Sequence, residues 1–131
     1  MTTTTLPRTG SAPSAPARLL QLDGALCATV GLVMGTAAGP VAELLGTDAT
    51  GVVRAVGIAL ALYAAGLLVS SRTRWARPVL RAVAIGNLGW EVASLAVAVL
   101  ADLSTTGRVL VAAQGLAVGA LALVQLRTGR R

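Results

Sequence analysis

Residues 79–100 read VLRAVAIGNLGWEVASLAVAVL, twenty-two residues with two charges, Arg81 near one end and Glu91 near the middle. An α-helix rises about 1.5 Å per residue, so a helix of this length covers the roughly 30 Å of a bilayer's hydrocarbon core. Three further apolar stretches of the same reach flank it, at about 19–38, 51–70 and 105–126. Helices buried in soluble proteins rarely reach spanning length four times in succession. The sequence therefore predicts an all-α transmembrane protein with four spans. The connections are short: Gly39-Pro40 closes the first span, 41–46 forms a brief interfacial turn, and 71–78 and 101–104 join the later spans. Short connections force consecutive helices to run antiparallel, so the expected architecture is an up-down-up-down four-helix bundle.

Composition agrees. Of 131 residues, 55% are hydrophobic and 12% charged, with a mean hydropathy of +0.77. Soluble domains carry about 25% charged residues, and so apolar a chain cannot cover a water-facing surface. The 1–18 segment, MTTTTLPRTGSAPSAPAR, has no apolar period and is expected to be a disordered tail. It contains Leu6-Pro7-Arg8-Thr9-Gly10, which fits the LPxTG pattern of sortase substrates. Sorting motifs of that kind follow the domain they anchor, so chance is the preferred explanation. Thr36-Ala37-Ala38 loosely fits a signal-peptidase site, but the apolar run exceeds a usual signal core and resumes at Val41, so a retained span is expected. Residues 127–131 form a basic C-terminal tail.

The net charge of +6 resides in eleven basic residues, all of them arginine. With the N-terminus inside, Arg8, Arg18, Arg72, Arg74, Arg77, Arg81, Arg127, Arg130 and Arg131 all fall on the cytoplasmic side. Arg54 and Arg108 lie at the outer ends, with Glu43, Asp48 and Asp102. The positive-inside rule gives N-in, C-in, and this placement accounts for the charge without nucleic-acid binding. Trp75 sits in the basic loop as an interfacial anchor. The Ala, Gly, Val, Leu and Arg bias points to a high-GC bacterium, hence to a multi-pass protein of the bacterial plasma membrane.

Missing residue types restrict the chemistry. There is no His to act as a base near neutral pH. There is no Lys for a Schiff base, and the single Cys27 allows neither an intrachain disulfide nor a cysteine metal cluster. No cofactor or metal is expected, and Cys27 is expected to be a small packing residue.

The third span carries the candidate site. Asn87, Trp90, Glu91 and Ser94 stand at i, i+3, i+4 and i+7 and so share a helical face. A charge at the centre of a span costs about 2.5–3.5 kcal/mol on insertion scales, which turns Glu91 toward the bundle. Counted from the outer ends, Glu91 and Gln114 lie at equal depth, which predicts a Glu91–Gln114 hydrogen bond. Tyr63 lies near the depth of Asn87. Arg54 and Arg108 either turn inward to Glu91 or snorkel to headgroups. At the inner side Asp23 and Arg81 enter at similar depth and are expected to pair. Glu91 is either a structural clamp, the preferred alternative, or a proton or ligand site.

Close helix contact in lipid comes from small residues. Gly31, Gly35 and Gly39 form two GxxxG steps on the first span, and Gly115 and Gly119 form one on the fourth. Packing inside the bundle is the first expectation for them, and a dimer interface the alternative. Thr50-Gly51 with Arg74 and Thr106-Gly107 with Arg130 recur at one offset, a faint internal repeat that chance also explains.

With Arg54 opening span two and Arg81, Gly86-Asn87 and Trp90 in span three, the chain resembles small integral membrane proteins of high-GC bacteria whose four-helix layout is DoxX-like. That resemblance covers about 19–126 and implies four spans without a defined activity. Small multidrug-resistance exporters carry an essential Glu in their first span, where this chain has only Asp23, and vitamin K epoxide reductase-like enzymes need a CxxC pair. Both fit poorly. The expected function is a non-enzymatic membrane interaction or accessory subunit. Its partners would be the lipid bilayer and either a second copy or another membrane protein. The alternatives are a small proton-coupled transporter using Glu91 and a lipid- or quinone-directed enzyme.

Overall fold

The computed structural model describes residues 12–130. The Leu6–Gly10 motif, Arg8 and Arg131 lie outside the described residues. Five helices follow in order: α1 (Ala15–Thr36), α2 (Ala38–Leu45), α3 (Thr50–Ser70), α4 (Ala76–Leu100) and α5 (Thr105–Arg130). α1, α3, α4 and α5 are each long and apolar enough to cross a membrane, and among the described residues there is no strand. The protein is an all-helical, multi-pass membrane bundle.

Two boundaries differ from expectation. α1 begins at Ala15, inside the segment expected to be a tail, because Ser14 caps it and Pro16 occupies its first turn, where a missing N–H costs nothing. The first span ends at Thr36 instead of at Gly39-Pro40. Pro40 clashes with the carbonyl four residues earlier, which belongs to Thr36, so the helix breaks at Ala37. The expected turn over 41–46 is part of a second helix, α2, in which Pro40 sits in the tolerant first turn. Gly46 ends α2 at φ 69°, the left-handed conformation that suits glycine. Ser104 then ties α5 to α2: its Oγ accepts from Gly107 N–H at 3.0 Å, and its own N–H donates to the Leu45 carbonyl at 2.9 Å.

The spans pack as two hairpins. α1 lies along α3 and α4 lies along α5; the hairpins meet through α1 against α4 and α5, and through α2 against α5. The sequence places glycines where backbones come closest. A Cβ at Gly31 would strike the α3 backbone at Gly57 and Ala61, and a Cβ at Gly57 would strike α1 at Met34 and Gly35. On α5, Gly115 faces Ser94 and Gly119 faces the Glu91 carboxylate. Gly31, Gly115 and Gly119 of the two stripes thus face other helices of the chain, whereas a Cβ at Gly35 or Gly39 would meet nothing within 4 Å. Two apolar clusters close the ends, Leu20, Leu67, Ala76, Leu80 and Val83 at one, Ala38, Ala42 and Val53 at the other. α3 and α4 are joined by a short loop but scarcely pack on each other, which leaves a groove between them.

Candidate functional site

Three helices bring polar side chains to one buried point. Asp23 of α1, Asn87 of α4 and Gln125 of α5 are 3%, 6% and 0% exposed. Asn87 Nδ2 donates to Asp23 Oδ2 at 2.8 Å and to Gln125 Oε1 at 3.0 Å, and Gln125 Nε2 donates to the same Asp23 Oδ2 at 2.7 Å. The other carboxylate oxygen, Oδ1, receives only the Cys27 thiol at 3.5 Å. In hydrocarbon no water relieves an unpaired polar group, so a closed ring of this kind holds the two hairpins in register. Asn87 was expected in the site from its place on α4. Gln125 was not, although it lies near the inner end of its span as Asp23 does, and equal depth was the signal available.

The expected Asp23–Arg81 pair does not form. Arg81 sits more than a turn from Asn87 toward the start of α4, and its Nε donates to the Gly129 carbonyl at 2.7 Å. A cation is favoured there, because the last carbonyls of α5 are unpaired and carry the negative end of the helix dipole. The absent side chain at Gly129 admits the Arg81 stem.

The expected Glu91–Gln114 bond is also absent. Gln114 Oε1 accepts from Trp90 Nε1 at 3.1 Å and its Nε2 donates to Ser94 Oγ at 2.7 Å, so Gln114 bonds the residues either side of Glu91. The Glu91 carboxylate lies over Gly119 instead, in the space a side chain there would fill. Equal depth was correct as geometry, but the glycine offered Glu91 a different berth. Arg108 does not turn to Glu91: its Nη1 donates to the Ala98 and Val99 carbonyls at 2.9 and 3.0 Å, capping α4. Arg54 is exposed.

Asp23 and Asn87 also floor the groove between α3 and α4, a cavity of about 340 Å³. Val56 and Leu60 of α3 give it an apolar wall, and Tyr63 and Trp90 face it from opposite helices, 40% and 37% exposed. Tyr63 thus shares a site with Asn87, as its depth suggested. Among the described residues, no three of His, Cys, Asp and Glu stand close enough to hold a metal ion.

A second feature lies on α4 away from its buried face and shares Gly86 with the rim of the groove. Ala82, Gly86, Gly89, Ala93 and Ala96 are spaced 4-3-4-3 and all are exposed. A Cβ added at Gly86 or Gly89 would meet nothing within 4 Å. This seam was missed in the sequence because alanine and glycine are abundant throughout, and only burial separates an inward from an outward stripe. No protein-family model, curated protein or solved structure matches the chain.

Proposed function

We propose that this protein is a non-enzymatic membrane interaction subunit, which docks on another transmembrane helix through the outward seam of α4. The observation that supports this is the seam itself. Small residues at coiled-coil spacing let two backbones approach, and in lipid close approach is a main source of helix association. Asn87, Trp90, Ser94 and Gln114 are engaged in bonds with the chain's own helices, while the Glu91 carboxylate rests over Gly119. The proposed setting is the bacterial plasma membrane with both termini cytoplasmic, supported by the arginines at that end of the bundle. The partner is a second copy or another membrane protein, and one experiment distinguishes them. A photo-reactive phenylalanine derivative replaces Ile85 or Val92, exposed residues beside the seam. Irradiation in native membranes should then yield a protein adduct, whose mass identifies a self-dimer or a different partner. Adducts with lipid alone would defeat the proposal.

A further inference from the structure

The Asp23 carboxylate is buried, and among the described residues no arginine bonds to it; Arg81, the partner expected from the sequence, donates to Gly129. Its two strong donors are neutral carboxamides, and both converge on Oδ2. Oδ1, with only a thiol 3.5 Å away, retains acceptor capacity. This same residue floors a groove whose flanking aromatic rings come from α3 and α4, which scarcely pack on each other at this level. Exposure of Tyr63, Trp90, Ala59 and Gly86 at its rim makes it reachable sideways, from the hydrocarbon.

We propose that the groove between α3 and α4 binds a lipophilic organic monocation, with Asp23 as its counter-charge. Tyr63 and Trp90 supply π faces that attract a cation, and Val56 and Leu60 contact its apolar body. A neutral lipid tail would fill the apolar walls and leave the carboxylate uncompensated. An anion would be repelled by it. The site and the docking seam share Gly86 at the rim, but Asp23 and Ala59 belong to α1 and α3, so variants there test the groove without altering the seam.

The test uses the purified full-length protein in nanodiscs and a matched pair of probes, N-methyl-4-styrylpyridinium and uncharged 4-styrylpyridine, at alkaline pH. The wild type should bind the cation at least tenfold more tightly than the neutral probe. Asp23→Asn keeps an oxygen to accept from Asn87 and Gln125, so the bundle should hold while cation affinity falls at least tenfold. Ala59→Phe narrows the groove without touching the buried ring and should reduce cation binding to a similar extent, which decides the matter if Asp23→Asn does not fold. Trp90→Leu should weaken the cation several-fold. Equal binding of the two probes by the wild type, or unchanged cation binding by Ala59→Phe or by folded Asp23→Asn, would overturn the proposal.

Discussion

On the inward face of α4, Leu80, Ala84, Asn87, Ser94 and Ala98 are buried against α1 and α5. On the outward face, roughly 160° away at about 100° per residue, Ala82, Gly86, Gly89, Ala93 and Ala96 stand exposed. Both faces repeat at near-heptad spacing. The inward one is already satisfied, because glycines on α5 receive its side chains and two carboxamides close its polar bonds. The outward one has small residues with no backbone opposite. The difference teaches that in an Ala- and Gly-rich membrane chain a small-residue stripe means little until its neighbours are known. The glycine stripes of α1 and α5 divide in the same way: Gly31, Gly115 and Gly119 are filled from within, while Gly35 and Gly39 are open.

Changes on the inward side should act on the fold, with a large effect where α5 lies close against α4. A Cβ at Gly115 would lie 2.7 Å from Ser94 Cβ, so Gly115→Leu must push α5 from α4. We expect a loss of about 3 kcal/mol, seen as failure to recover a monodisperse species or as a steep fall in thermal midpoint. Asn87→Leu comes next. It removes donors from Asp23 Oδ2 and Gln125 Oε1 and should cost about 1–2 kcal/mol in a denaturant titration from mixed micelles.

On the outward side, Gly89→Leu should leave the thermal midpoint unchanged, since nothing lies within 4 Å of the added Cβ, while crosslinking across the seam drops about tenfold. A destabilised Gly89→Leu monomer would erase the contrast between the two faces. The smallest expected effect is at Glu91. Its carboxylate rests over Gly119 and takes no side-chain hydrogen bond among the described residues, so Glu91→Gln should shift stability by less than about 0.5 kcal/mol. A larger shift would restore Glu91 to the central structural place its sequence position suggested.

The four spans were legible because each depends on length and mean apolarity, which a single sequence displays. Their ends were less so. The break at Ala37 required seeing that Pro40 acts on Thr36 four residues back, and α2 is short enough to pass for a turn. The candidate site was legible by residue and depth but not by partner. Asn87, Trp90, Ser94, Gln114 and Tyr63 do meet in or beside the groove, because helix periodicity and depth are local properties. Asp23 found Asn87 and Gln125 instead of Arg81, and Glu91 found a glycine instead of Gln114. Those choices depend on helix rotation and on competition from terminal carbonyls, which spacing along one chain does not encode.

The central claim is that the outward seam of α4 is an interface, and photo-crosslinking in native membranes around that helix tests it most directly. Probes at Ile85 and Val92, beside the seam, should give a protein adduct of discrete mass. Probes at Leu32 of α1 and Leu116 of α5, also more than half exposed but away from it, should give lipid adducts only. Protein adducts of equal yield at all four positions, or at none, would contradict it.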